Sequence, residues 1–453
     1  MKKILLILAL ILLPILGSAE TVEVNGLNYL LNEEEKTATV TSSNYEGFLK
    51  IPETIQVGYN EYTVTAIADN ALWFKDKLLS VSLSKSLKTI GARAFYYCSG
   101  LTSIKIGDGL EGIGEEVFAF CSSLNQIYIN DLKQWCMIDF ASASSNPLSN
   151  AHHLYLDKKE IKELVIPEGI EAIKQYSFYG GANITTLVMN SGIKEINRNA
   201  FSFCTSLTNV RFPETLVSIG SYAFESTNIE ELDIPNGITT INENTFFNCS
   251  KLEKIKLPES LQLIKNSAFS ECSGLRNVTI PANVELIQNN AFRWSTDESV
   301  DFFMNPEYPP LAYENSFPSN SKFYVPDGSI EPYQNVVPWN NYELHTFSGS
   351  GPEKCALPVI TYKNETLSFS SETPDVVFHY VITSADGQKN IGCSLNVSGK
   401  LLVSVYASKS GYEDSETVES EIDVRGIKRD LNGDGVVNVA DHVMLSDIIM
   451  NNE

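Results

Sequence analysis

The chain has 453 residues, 43% hydrophobic and 20% charged, with a formal net charge of −23 at pH 7. That length divides into two or three units rather than one core, and the composition excludes wholesale disorder. The acidity excludes nucleic acid, whose phosphates need clustered Lys and Arg, and equally a polybasic membrane anchor; it predicts a solvated surface.

Lys2 and Lys3 precede an apolar run from Ile4 to Leu16, and Gly17-Ser18-Ala19 supplies small residues for cleavage. This pattern predicts a secretory signal peptide over 1–19, too short for a membrane span, and hence a secreted or cell-surface mature protein. No cysteine near that site would accept a lipid, and no later run approaches the ~18 apolar residues of a transmembrane helix.

Residues 20–66 are expected to form an N-terminal β cap, and 67–345 a repeat solenoid with its own C-terminal cap. Phenylalanines stand at 95, 118, 178, 201, 224, 246, 269 and 292, separated by 23, 60, 23, 23, 22, 23 and 23 residues. An isoleucine lies five residues before each (Ile90, Ile113, Ile173, Ile196, Ile219, Ile241, Ile264, Ile287), and a degenerate copy pairs Leu72 with Ile67. Six residues after the Phe comes Leu or Ile, as at Leu101, Leu207 and Leu275. Two more apolar positions follow, such as Ile104 and Ile106. L-x-x-I-x-I ends in the period of a short half-buried strand, and prolines such as Pro213 and Pro258 end it. One repeat cannot bury its own Phe, Ile and Leu, so neighbours must stack into a continuous core, as in leucine-rich repeats.

Two irregularities stand out. The copy at Phe224 is one residue short at Ser226-Thr227-Asn228. The 60-residue gap holds an expanded unit over about 130–160 with Trp135, Cys136, Met137, Ile138 and Phe140. This expansion is either a local surface that the regular repeats lack or a tolerated insertion.

Ile-Pro-Glu-Gly-Ile at 166–170, the Ala-Phe-x-x-Cys-x-x-Leu units, and Tyr324-Val-Pro-Asp-Gly-Ser329 with Tyr333 and Trp339 beyond resemble the BspA-type leucine-rich-repeat surface proteins of bacteria. The resemblance covers roughly residues 20–345, including the cap sequence from Asn25 to Leu31. It implies a solenoid on or near the cell surface, some members being adhesins for extracellular-matrix proteins or other cells.

Cys98, Cys121, Cys204, Cys249 and Cys272 each lie three residues after the repeat Phe. Cys204 has Gly181 and Thr227 as its equivalents on either side, so a close-packed thiol column is expected rather than a disulfide ladder. His152, His153, His345, His379 and His442 show no metal-ligand spacing and no nucleophile signature. Gly107-Asp-Gly109-Leu-Glu-Gly112 matches a phosphate-loop pattern, but in a repeat turn with no βαβ unit around it.

The outward residues of the I-x-I strands form the expected binding face. In order they are Ser82, Lys105, Tyr128, Val188, Arg211, Asp233, Lys256 and Thr279, with Lys105, Tyr128, Arg211, Asp233 and Lys256 the candidate contacts. The column lacks the acid, base and nucleophile set of an enzyme, so no catalytic residue is assigned. A mixed face of this kind suits protein recognition and equally describes a neutral solvated surface.

Residues 346–352 read as a flexible linker by composition. Alternating segments within 353–425 predict a small β-sandwich. The stretch from Tyr406 to Tyr412 resembles the immunoglobulin-like accessory domain at the C-terminus of chitobiases; Cys355 and Cys393 either bridge within it or do not. In 426–453, Asp430, Asn432, Asp434, Val436 (by its carbonyl), Asn438 and Asp441 fit the ligand positions of a Ca²⁺ loop, with Gly435 at the turn. The apolar stripe Val443, Met444, Leu445, Ile448 and Ile449 follows. The segment is similar to one half of a type I dockerin, which implies cohesin as a partner.

Two functions follow. One is a secreted or surface interaction protein that binds a protein or glycan, host extracellular matrix included, through its repeats. The other is an accessory or scaffold subunit of a glycan-degrading assembly, attached through its dockerin-like end.

Overall fold

The computed structural model describes residues 21–295, 299–347, 356–363, 366–373, 376–384, 400–408 and 415–423. They fall into two units. One holds the chain up to 302 with 306–323 and 331–344; the other holds 303–305, 324–330 and the chain from 345 onward.

The first unit begins with antiparallel strands, Thr21–Val24 on Leu27–Asn32 and that strand on Thr37–Ser43. Thr37–Ser43 then pairs parallel with Asn60–Ile67, and from there the repeat takes over. Each turn contributes two parallel strands. The central residues of the longer one run in register, Val81 beside Ile104 beside Ile127 and Leu164 beside Leu187 beside Val210. The shorter strand carries the repeat isoleucine, with Ile67, Ile90 and Ile113 in one ladder and Ile241, Ile264 and Ile287 in another. Ladder bonds satisfy the buried backbone of each turn from its neighbour. The expected repeat solenoid is the observed fold of this unit.

Between the two ladders the phenylalanines stack. Phe178 and Phe201 lie 5.5 Å apart at 3° between planes, Phe246 and Phe269 5.3 Å at 5°. All are fully buried. The turn around each anchor from Phe95 to Phe269 has a fixed backbone: the residues two before and two after it adopt positive φ, as Arg93 and Tyr97 do around Phe95, or Asn199 and Phe203 around Phe201. These left-handed residues turn the chain while the Phe N–H reaches the next turn, as Phe201 does to the Ala223 carbonyl at 2.8 Å. The column runs one turn further than the repeat count predicts. Phe317 stacks on Phe292 at 5.9 Å, and Ala312, five residues before it, extends the isoleucine ladder. Phe302, Phe323, Trp339 and Tyr342 pack around Phe317, with Trp339 Nε1 donating to the Pro310 carbonyl at 3.0 Å.

The second unit contains an antiparallel pair, Val359–Lys363 with Thr366–Ser370, and a three-stranded antiparallel sheet of Val377–Ser384, Lys400–Ser408 and Val418–Asp423. Val403, Val405 and Ala407 form its buried side. Cys355, Cys393 and the predicted calcium ligands Asp430, Asn432, Asp434, Val436, Asn438 and Asp441 lie outside the described residues, as does the 1–19 segment. No helix among the described residues is long and apolar enough to cross a membrane.

Candidate binding surface

The 60-residue gap is one complete hidden turn plus 14 residues, since two regular repeats account for 46 of the 60. Phe140 takes the isoleucine place, pairing with Ile113. Five residues on, the phenylalanine place holds Ser145, fully buried, whose hydroxyl donates to the Gly114 carbonyl at 2.6 Å. Leu148 takes the cysteine place and Leu154 the central strand position, beside Ile127. Bulk moves with the swap: Trp135, fully buried on the added helix Leu132–Cys136, lies 5.3 Å from Phe140. The helix starts at Asp131, whose carboxylate accepts the Lys133 N–H at 2.7 Å. Small anchor and large neighbours keep the core filled.

The remaining added residues form a hairpin on the strand face. Leu154–Leu156 turns back through Lys159–Glu160, and the chain then enters Glu163–Val165, which starts the next parallel ladder. One turn therefore shows two strand segments. On them Tyr155 stands beside Tyr128, rings 5.2 Å apart, and across from Glu160. Glu160 Oε1 accepts from His153 Nδ1 at 2.6 Å and Asn183 Nδ2 at 2.7 Å, and these hydrogen bonds, Asn183 first, lower its pKa. The Tyr128 hydroxyl donates to Gln126 Oε1 at 3.0 Å. Two half-exposed rings thus sit beside a carboxylate held by donors from two turns of chain. Such a patch stacks and accepts hydrogen bonds. No serine, threonine or cysteine among the described residues hydrogen-bonds His153, so it forms no activated-nucleophile pair there.

The sequence-predicted contacts divide. Lys105 and Tyr128 are register neighbours in one ladder. Arg211 lies beside Val188 in the next, and Asp233 pairs with Lys256 at 3.4 Å in a third. That last pair is exposed and satisfies itself. Ser82, Tyr128, Val188 and Thr279 are half-buried rather than open. The sequence reading missed Tyr155, Glu160, His153 and Asn183. The signal was available, because Leu154 follows Phe140 by the same 14 residues that separate Ile90 from Ile104.

The six described cysteines are free, buried thiols. Each column member donates to a Phe or Leu carbonyl one turn back: Cys121 to Phe95 at 3.1 Å, Cys204 to Phe178 at 3.2 Å, Cys272 to Phe246 at 3.1 Å. Burial pushes Cys121 and Cys204 up to about 12, and it also raises Cys272, which lies against the Cys249 thiol. In the short repeat Thr227 takes the place, its hydroxyl donating to the Phe224 carbonyl at 2.9 Å, and Ile229 moves up to fill the leucine site. Gly107 and Gly109 are packing glycines. A Cβ on either would lie 2.1 or 1.8 Å from the Ser84 or Lys85 carbonyl oxygen, so no phosphate loop opens there.

Stacked turns with parallel ladders, a leucine-bearing strand segment and a phenylalanine spine define a leucine-rich-repeat protein. The chain belongs to the BspA type leucine rich repeat region family, whose model matches six copies over residues 44–150, 151–198 and 171–298, more than half of the sequence. Among solved structures it is similar to a leucine rich cell surface protein from Faecalibacterium prausnitzii A2-165, at 19% identity over 74% of this chain and 96% of that one, TM-score 0.40. A leucine-rich repeat protein from Bacteroides ovatus ATCC 8483 matches at 20% identity over 72% and 99%, TM-score 0.38. The pneumococcal vaccine antigen PcpA matches at 17% identity over 73% and 99%, TM-score 0.36. No curated protein matches the sequence.

Proposed function

We propose that the protein is a secreted or cell-surface interaction protein that binds an extracellular partner, a matrix protein foremost, through the strand face of its solenoid. The supporting observation is the hairpin turn, which sets Tyr128 and Tyr155 beside the Glu160–His153–Asn183 cluster. Tyrosines at the centre of a contact carry binding energy at low entropic cost, and a carboxylate held by two donors is already oriented. The neighbouring Lys105 adds a cation to the same ladder. Arrays of immobilised matrix proteins and glycans, probed with the full chain, test this reading; saturable binding is expected, and silence across the array would count against it.

The second reading, an accessory subunit attached through 426–453, rests on residue order alone: oxygen donors at 430, 432, 434, 438 and 441, with Gly435 between. On this reading Ca²⁺ binds the full chain and the Asp434→Ala variant does not, and calorimetry reads the difference. Partner binding that survives deletion of 426–453 favours the first reading.

A further inference from the structure

A second surface lies in the first unit, on the turns around the anchors rather than on the strands. Trp73, Phe74, Tyr97 and Phe120 are 50%, 54%, 46% and 59% exposed on three successive turns, with Tyr96 half-buried among them. The rings touch in one row: Phe74 and Tyr97 lie 5.2 Å apart, Tyr97 and Phe120 5.7 Å, Tyr96 and Phe120 5.4 Å, and Trp73 sits 5.3 Å from Phe74.

Neither packing nor backbone preference accounts for aromatic residues here. Phe74, Tyr97 and Phe120 occupy the left-handed position two residues after the anchor, with φ of 54°, 58° and 62°. Bulky side chains adopt that region at a cost; later turns place Gly180, Ser226, Asn248 and Glu271 there, with Phe203 the one later aromatic. A Phe or Tyr that is strained and gains little burial has a role outside the fold. Backbone bonds to the following turn, Phe74 N–H to the Tyr96 carbonyl at 2.8 Å and Tyr97 N–H to the Ala119 carbonyl at 2.9 Å, hold the row rigid.

Size and charge narrow the occupant. Half of four aromatic side chains is roughly 400 Å², at ~150–250 Å² each. That is about half of the ~800 Å² per partner that a stable protein interface buries, so the row is too small for a second copy of the chain. The charges around it are mixed: Arg93 pairs with Glu116 at 2.6 Å and Lys77 with Glu46 at 2.8 Å, and Lys75 is outnumbered by Asp76 and Glu115. On a chain of net charge −23 this leaves nothing to attract a polyanion. The Tyr96 and Tyr97 hydroxyls take no hydrogen bond from the described residues, so apolar rings and open polar groups alternate. We propose that this row is a docking surface for a neutral oligosaccharide, laid along the stack with about one sugar per turn. Sugar C–H faces meet the rings, and sugar hydroxyls meet the tyrosine hydroxyls and the Arg93–Glu116 pair. This inference is independent of the strand-face reading.

Trp73 provides the readout, because Trp135, Trp294 and Trp339 are buried. The full chain is titrated with soluble laminarin, xyloglucan, mannan and arabinogalactan, with heparin as the polyanion control. At least one neutral glycan is expected to shift Trp73 emission to the blue and shield it from iodide. Calorimetry should show that Trp73→Phe retains binding while losing the optical signal, and that Tyr97→Ala with Phe120→Ala weakens binding more than tenfold at unchanged circular dichroism. Tyr308→Ala, at an exposed aromatic outside the row and outside the left-handed positions, should bind as the parent does. The proposal is overturned by no response to any neutral glycan, by equal binding of heparin, by undiminished binding of the folded double variant, or by concentration-dependent dimers that the double variant abolishes.

Discussion

Trp135 Nε1 donates to the Ser177 carbonyl at 3.0 Å, joining the hidden turn to the next regular one across 42 residues of chain. Asn146 Nδ2 donates to the same oxygen at 2.9 Å. The phenylalanine spine is broken at Ser145, so this indole carries the core from Phe140 towards Phe178. Trp135→Ala is expected to cost about 3–5 kcal/mol, as large core truncations do. Because repeat stacks are held by nearest-neighbour contacts, thermal unfolding should also split into two steps. A single transition at the parent's midpoint would refute the assignment.

Phe201 tests the regular spine. It lies between Phe178 and Phe224, with ring centroids at 5.5 and 5.3 Å, and is fully buried. Phe201→Ala should cost about 3–5 kcal/mol through lost transfer energy and a cavity that the rigid left-handed turns cannot collapse into. Denaturant titration measures it.

At Cys204 the expectation concerns chemistry. Its thiol faces the Phe178 carbonyl and is raised to about 12 by burial, so an aromatic disulfide reagent at about pH 8 should leave it unmodified in the native protein and label it on unfolding. Cys204→Ser keeps a donor, as Thr227 does in its own turn, and is expected to change stability by about 1 kcal/mol. Cys204→Leu overpacks the column and should cost about 1–3 kcal/mol.

The regular repeats were legible because one signal, Ile and Phe five residues apart, reports the core directly. The hidden turn was not, since Phe140 and Ser145 invert that signal: the large residue stands where Ile belongs and the small one where Phe belongs. Volume is conserved by Trp135, which lies ten residues upstream of Ser145 on an inserted helix, where no periodicity points. The strand-face column was legible in part, as Lys105 and Tyr128 show. The Leu154 spacing would have added Tyr155 to that column, but not Glu160, whose place across from Tyr155 depends on the hairpin closing across Leu154–Glu160. The left-handed positions flanking each anchor carry Arg, Tyr, Phe, Ser, Glu and Asn alike, and so leave no residue pattern to read.

Acid should act at the hairpin. Glu160 has its pKa lowered from 4.5 by Asn183 and His153, so its charged form is favoured in the folded chain. The stability it contributes is fully present above the ordinary carboxylate value and is lost as pH falls through the lowered one. The parent's melting temperature should therefore drop more than that of Glu160→Gln between about pH 5 and pH 3. Parallel profiles would show that the carboxylate is not held as described.

On the proposed function, the partner binds the strand face around Tyr128 and Tyr155. The direct measurement is the affinity of the full chain for its array-identified ligand, compared with that of the Tyr128→Ser, Tyr155→Ser double variant. Loss of two central tyrosines is expected to weaken binding by about 2–4 kcal/mol, more than tenfold, with the control Tyr308→Ala, at an exposed aromatic outside both surfaces, unchanged. Equal affinity of parent and folded double variant would contradict the account.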